Sequence, residues 1–306
     1  ELKGNFSKVH GQIVNKDITK NKANLEILLE SPQIKYLNID INNILAKLEM
    51  DTDTKKLFLK DVNFTLKKED NLDYKLNMDF NLKGTFENNL LKANYKIKNA
   101  DSFIKNKYFE GNLLLDGVKE NILINNTGPK NKFKIYYDFK SELIKLDGQF
   151  SEPLEFGNEK IRNNQLKGKL NIEYNLKSNK LLKINGKINI SNDFYFSNLN
   201  MDIENNNDLI LFKNVNGSTG NSYLEGSGEV NLTSLAYEFK SEKTIVDSKD
   251  FKALEKYPPF ILDVSFDLKG VKKDFDLNYS ANLESLKTVA TLNDTHFYGK
   301  IQNKDN

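Results

Sequence analysis

The sequence predicts an all-β protein, built as an elongated, curled antiparallel sheet (a β-taco or β-groove) with an apolar inner face and little helix. Three observations predict it. Apolar and polar residues alternate with a period of two along most of the 306 residues. A five-residue unit, apolar-any-Gly-any-apolar, recurs through the whole chain, which is typical of repetitive β architectures. Segments with the period of an amphipathic helix are almost absent.

The clearest alternation runs from Leu72 to Phe86. Successive side chains of a strand point to opposite faces, so this segment is predicted to be a long strand with one apolar and one charged face. Lys75 and Asp79 belong to the charged face. The same pattern predicts strands at Leu25–Leu29, Val62–Leu66, Phe133–Phe139, Leu170–Leu176, Ile184–Ile190, Leu199–Ile203, Leu262–Leu268 and Phe275–Leu283.

Clusters of Asn, Lys, Asp and Gly separate these segments and predict turns, giving a meander of roughly fourteen to eighteen strands. The clusters are Asn88–Asn89, Asn125–Lys130, Ser178–Lys180, Asn205–Asp208 and Lys272–Asp274.

Two segments are less regular. Ile39–Met50 fits either a strand or a short helix. Ser248–Lys256 is the best helix candidate, with Ser248 as the N-cap and Pro258 as the stop, and it allows one or two turns. We expect residues 1–306 to form a single elongated, repetitive segment of a longer chain, with a crossover or short helix at 247–260.

The glycine pentad places a small residue in the middle of a strand or at a bend, between apolar residues on alternate positions. Its clearest copies are Leu2–Phe6, Val9–Ile13, Leu82–Phe86, Phe109–Leu113, Leu146–Phe150, Leu166–Leu170, Ile184–Ile188 and Phe297–Ile301.

Composition excludes several classes of function. The net charge is +2 and Arg162 is the only arginine, so nucleic-acid binding is not expected. The chain has no cysteine, and its two histidines, His10 and His296, lie near opposite ends. Asp51 and Asp53 resemble the start of a calcium loop, but the glycine and the closing glutamate do not follow, which predicts a turn. We therefore expect no enzyme, cofactor, catalytic residue or metal site.

A sheet with one apolar face must cover that face. A second sheet can pack against it, the sheet can curl so that the face lies inside, or lipid can cover it. A closed sandwich has a dry core in which large and small side chains interdigitate, whereas a curled groove leaves room for acyl chains. Here the predicted inner positions almost all carry large side chains, which favours the lining of a groove over a closed core. The predicted lining is Leu72, Tyr74, Leu76, Met78, Phe80, Leu82, Phe86, Phe133, Ile135, Leu170, Ile172, Tyr174, Leu176, Ile184, Ile188, Leu262, Val264, Phe266, Leu268, Phe275, Leu277 and Tyr279. The alternative is a structural or adhesive β-sandwich or β-solenoid segment of a bacterial surface protein, with a closed dry core.

The pentads Leu82–Phe86, Leu166–Leu170 and Ile184–Ile188, together with strict alternation and little helix, resemble the AsmA-like superfamily and, within it, the TamB proteins of the translocation and assembly module. The resemblance covers essentially the whole chain. It implies a groove that conducts phospholipid acyl chains across the periplasm of a diderm bacterium, supporting outer-membrane biogenesis. It also implies an inner-membrane anchor and an outer-membrane barrel partner, both served by parts of the protein outside this segment. No catalytic or ligand-binding motif accompanies it, so it assigns no functional residue.

Overall fold

The structure is a computed structural model that describes residues 3–5, 8–17, 22–36, 39–51, 53–69, 75–99, 108–129, 131–156, 164–192, 197–286 and 295–303. Strands make up most of this part of the chain, which confirms the predicted all-β class with antiparallel pairing and little helix. The chain forms two compact units. The first consists of Glu1–Asn163 and Asn175–Lys180, and the second of Asn164–Tyr174 and Leu181–Asn306.

The first unit is an antiparallel meander in which strands that follow each other pair as hairpins. At one edge β1 and β2 both pair with β3. The strands are β1 (Lys3–Asn5), β2 (Lys8–Asp17), β3 (Lys22–Tyr36), β4 (Ile39–Asp51), β5 (Lys56–Glu69), β6 (Lys75–Glu87), β7 (Leu90–Asn99), β8 (Tyr108–Asp116), β9 (Asn121–Asn126), β10 (Asn131–Asp138) and β11 (Leu143–Phe156).

The second unit repeats this plan, with β13 to β20 paired antiparallel in chain order. Its first strand lies beside β13, where Asn171 Nδ2 donates to Asn185 Oδ1 at 3.0 Å. The strands are β12 (Asn164–Asn175), β13 (Lys180–Asn192), β14 (Asn198–Asn206), β15 (Leu209–Thr219), β16 (Ser222–Asn231), β17 (Ala236–Asp247), β18 (Phe260–Val271), β19 (Asp274–Leu286) and β20 (Thr295–Asn303).

Residues with a left-handed backbone conformation lie in four of the five predicted turn clusters. Asn88 and Asn89, between β6 and β7, have φ of 48° and 62°. Two consecutive positive φ angles are typical of the type I′ hairpin turn, which asparagine tolerates better than most residues. Asn179, Asn207 and Lys272 also have positive φ, at three further predicted turns.

Several local predictions need correction or completion. The ambiguous segment Ile39–Met50 is a strand, within β4. Twenty strands lie within the described residues, more than predicted, because short ones such as β9 carry too little alternation to be recognised. The connection from β17 to β18 contains two 3₁₀ turns, Ser248–Asp250 and Lys252–Leu254.

The predicted N-cap of that connection is wrong. The cap is Asp247, whose carboxylate accepts from the Lys249 N–H at 3.0 Å. Ser248 is buried instead, and its hydroxyl accepts from the backbone N–H of Phe260 at 2.9 Å, which holds the start of β18.

Register shifts recur through the second unit, at Phe212/Val215, Glu225/Gly226 and Lys240/Thr244 in successive strand pairs. Such bulges bend a strand and increase the local twist of a sheet. Nowhere in the described part of the chain does a helix reach the length and hydropathy needed to cross a bilayer.

Candidate functional site: an uncovered apolar face

The registers align the apolar residues of each unit on one face. In the first unit a single row of paired residues crosses the ten strands β2 to β11 and contains only apolar residues and glycine: Gly11, Ile27, Leu48, Leu59, Gly84, Ala93, Leu113, Ile124, Ile135 and Leu146. In the second unit the corresponding row crosses β13 to β20: Gly186, Ile203, Phe212, Gly228, Phe239, Leu268, Leu277 and Ile301. We call these surfaces the apolar faces of the two units.

The opposite faces carry charged residues that pair across strands. In the second unit Lys269 Nζ lies 2.8 Å from Glu238 Oε1, and Lys300 Nζ lies 3.4 Å from Asp276 Oδ1. The hydrogen bond with the Glu238 carboxylate raises the pKa of the Lys269 ammonium. In the first unit Lys60 Nζ lies 3.0 Å from Glu49 Oε2. Solvated ion pairs of this kind account for the alternating charges on these faces.

An apolar depression of about 570 Å³ lies on the apolar face of the second unit. Seven of the predicted lining residues meet there, on β18 and β19. The depression is lined by Tyr237, Leu262, Val264, Phe266, Leu268, Phe275, Leu277, Tyr279, Ala281 and Ile301. Tyr237, Ala281 and Ile301 are additions to the predicted set, although Ile301 closes the last glycine pentad and the same alternation could have found it. The volume lies within the range typical of ligand sites.

The apolar faces are only partly covered. Of the predicted lining residues whose side chains the structure describes, Met78 and Ile188 are buried, each 8% exposed, and the others keep more solvent contact. No large side chain in the described ranges is less than 2% exposed. A closed, dry sandwich would bury its inward side chains, and soluble proteins seldom leave a contiguous apolar surface open.

Aromatic rings lie over glycines on the apolar face. A Cβ atom built on Gly299 would come within 2.7 Å of the Tyr279 hydroxyl, and one built on Gly270 within 2.5 Å of the Tyr237 ring. Phe239 lies in the same way over Gly226, at 2.9 Å. Each ring occupies part of the volume that a side chain at the glycine would need, and at Gly270 and Gly226 a backbone carbonyl oxygen lies closer still, at 2.4 Å. The rings therefore lie along the sheet, and the sequence analysis missed this role because it depends on strand register.

The remaining predicted lining residues fall on both units. Met78, Phe80, Leu82 and Phe86 lie on β6, Phe133 and Ile135 on β10, Leu170, Ile172 and Tyr174 on β12, and Ile184 and Ile188 on β13. Leu176 is a correction: it lies in the turn after β12, 46% exposed, where its N–H donates to the Glu142 carbonyl at 2.9 Å. Leu72 and Tyr74 lie outside the described residues, as does the side chain of Leu76.

Of the residues that the sequence singled out for possible metal binding, His296 and Asp51 contact their neighbours. His296 is exposed on β20, with Nδ1 2.5 Å from Asn282 Oδ1. The Asp51 carboxylate accepts from the N–H of Asp53 at 3.0 Å, which makes the predicted turn. Within the described ranges, no group of three or more His, Asp or Glu side chains is arranged to hold a metal ion.

Comparison with known proteins gives no relative: no protein-family model, no curated protein and no solved structure matches this chain.

Proposed function

We propose that the apolar faces bind the acyl chains of phospholipids and conduct them along the sheet. The observation that carries the proposal is that rows of apolar residues and glycine cross β2 to β11 and β13 to β20, yet most side chains of the predicted lining remain partly exposed. Leaving such a surface in water costs about 25 cal/mol per Å², and an acyl chain lying on it removes that cost.

The dimensions suit a single acyl chain. Leu262 to Leu268 on β18 is seven residues long and spans six rises, about 20 Å at the rise of a strand. One leaflet of a bilayer has a hydrocarbon depth of about 15 Å, half of the core thickness. One side of the depression is therefore long enough for a phospholipid acyl chain.

A lining of interchangeable Leu, Ile, Val and Phe offers similar free energy at each step. Each methylene transferred from water gains about 0.8 kcal/mol wherever it lies on such a surface. Cargo can then move along the face without meeting a deep trap. This favours conduction over storage in a closed pocket.

The cellular setting we propose is the periplasm of a diderm bacterium, where lipid passes between the inner and outer membranes in support of outer-membrane biogenesis. It rests on the resemblance of the glycine pentads to AsmA-like proteins. The outer-membrane barrel partner and the inner-membrane anchor belong to the same proposal and concern parts of the protein outside this segment.

Site-specific photo-crosslinking tests the proposal. A photoreactive amino acid replaces Phe266 on the apolar face or, as control, the exposed Ser265 on the opposite face of the same strand. After irradiation in cells, mass analysis of the adducts is expected to find phospholipid at 266 and none at 265. Protein folded but free of lipid adducts at 266 would contradict acyl-chain binding and favour a structural segment whose face is covered by protein.

A further inference from the structure

The connection between β17 and β18 covers one end of the apolar face of the second unit. Its residues Asp247 and Ser248 are buried, as is Ser222 at the start of β16. At this end of β19, Leu283 on the apolar face is 5% exposed, whereas Ile301, which pairs near the other end of β19, is 50% exposed. One end of the face is therefore covered by the protein itself, and the other is open.

A cavity of about 230 Å³ lies between this connection and the sheet. The connection contributes Phe251 to its lining, and the other lining residues lie on β15, β16, β17 and β18. Phe266 lines both this cavity and the depression of about 570 Å³. The registers join the two, because Leu224 in the cavity pairs with Thr244, and Thr244 pairs with Val264 in the depression. The cavity therefore continues the depression along the same face.

The two buried hydroxyl residues that line this cavity form hydrogen bonds within the protein. Ser222 Oγ donates to Asp250 Oδ2 at 2.7 Å and accepts from the Asp247 N–H at 2.8 Å. Thr244 Oγ1 lies 3.0 Å from Ser241 Oγ. Because these hydroxyls already have partners, they require nothing polar from an occupant. The cavity suits a group without polar atoms, and the methyl end of an acyl chain is such a group.

A carboxylate next to Phe251 holds the connection in place. Asp250 Oδ2 accepts from the backbone N–H groups of Asn221 at 2.8 Å and Ser222 at 2.7 Å, in addition to the Ser222 hydroxyl. Hydrogen bonds to a charged acceptor are among the stronger ones in proteins. The turn between β15 and β16 therefore fixes the residue that precedes Phe251, which favours a fixed wall at this position.

We propose that Phe251 is the end wall of an acyl-chain site in the second unit, with the methyl end of the chain in the cavity beside Phe251 and its polar end toward Ile301. The proposal rests on the proposed acyl-chain function, to which it adds an orientation and an upper limit on chain length. The wall limits how far a chain reaches along the strands, whereas the proposed conduction passes from strand to strand along the sheet.

A series of saturated fatty acids, from octanoate to eicosanoate, tests the wall on the purified chain. Each competes with an alkyl probe for photo-crosslinking from Leu277, which lines the depression but not the cavity. In the parent chain we expect each added methylene to improve competition about fourfold, or about 0.8 kcal/mol, until the chain meets the wall, and not beyond that length.

Two variants should move this length limit in opposite directions. Phe251→Ala removes the wall, so eicosanoate should compete at least about fourfold better than in the parent, the worth of one methylene or more. Val246→Phe places a larger side chain in the cavity and should shorten the limit. Tyr257→Ala removes a ring that is 52% exposed in the same connection and, as the control, should leave the limit unchanged.

Thermal unfolding shows which variants are folded, and Val246→Phe decides the question if Phe251→Ala does not fold. An unchanged limit in either folded lining variant, or the same shift in Tyr257→Ala, would overturn the end wall and leave acyl-chain binding standing. Competition that still improves up to eicosanoate in the parent chain would also overturn the wall. Absence of competition by every fatty acid in the folded parent chain would overturn the acyl-chain function itself.

Discussion

A carboxylate introduced on β20 should weaken acyl binding from one face of the strand and not from the other. Ile301 is 50% exposed and lines the depression of the second unit, whereas Tyr298 is 82% exposed on the opposite face. Ile301→Asp and Tyr298→Asp change the net charge equally, on the same strand. Ile301→Asp places the new charge where the proposed cargo lies, whereas Tyr298→Asp places it on the opposite face.

The expected magnitudes follow from burial. An aspartate at 301 would forfeit contact with two to three methylenes of the chain, about 2 kcal/mol at about 0.8 kcal/mol each, which is roughly thirtyfold in affinity. Because the Ile301 side chain is only half buried, the cost to folding should be about 1 kcal/mol.

The assay is the concentration of an alkyl probe that half-saturates photo-crosslinking from Phe266, which lines the same depression. Thermal unfolding of each variant shows whether the variant is folded. We expect a roughly thirtyfold increase in that concentration for Ile301→Asp and no change for Tyr298→Asp. Equal behaviour of the two folded variants would refute the assignment of the faces.

The remaining predictions concern the free energy of unfolding. A Cβ on Gly84 would lie 2.1 Å from a backbone oxygen of the neighbouring strand, whereas on Gly299 it would meet only the far end of a tyrosine ring. Urea denaturation should therefore show a loss of about 2–3 kcal/mol for Gly84→Ala and less than about 1 kcal/mol for Gly299→Ala, and equal losses would contradict this account. Because burial raises the pKa of Tyr95 to about 12 from its usual value of about 10, its contribution to stability is complete below pH 10 and is lost as the pH rises to 12. Unfolding measured between pH 9 and 12 should show this loss, up to about 2 kcal/mol, in the parent chain and not in Tyr95→Phe; the same decline in both would refute it. Lys60→Ala removes an exposed ion pair with Glu49 and should change the free energy of unfolding by well under about 1 kcal/mol, so a large loss in denaturation would mean that the polar and apolar faces are reversed.

The strands and their faces were predictable because alternation is a local property. Leu262 to Leu268 and Phe275 to Leu283 alternate with polar residues, and the two segments pair as β18 and β19 with their apolar side chains on one face. A shift of one residue would turn every side chain to the wrong face, so the pattern nearly determines the register. For the same reason, seven predicted lining residues meet at one depression.

Features that depend on longer-range pairing could not be predicted. Leu176 continues the alternation of β12, but its N–H bonds to Glu142, and the strand ends one residue before it. Asp247 and Ser248 are both competent N-caps, and the choice depends on Phe260, whose backbone N–H donates a hydrogen bond to the Ser248 hydroxyl.

The glycine pentad, the most repeated feature of the sequence, now has a physical explanation that bears on function. At Gly84 the neighbouring backbone lies too close for a side chain, and at Gly299 the ring of Tyr279 occupies the space instead. A ring that lies over glycine remains close to the sheet, whereas a side chain at that position would push the ring outward into the depression. Glycine at these positions therefore keeps neighbouring strands close together and the lining shallow. A shallow, even surface suits an occupant that slides along it, as the proposed conduction of acyl chains requires.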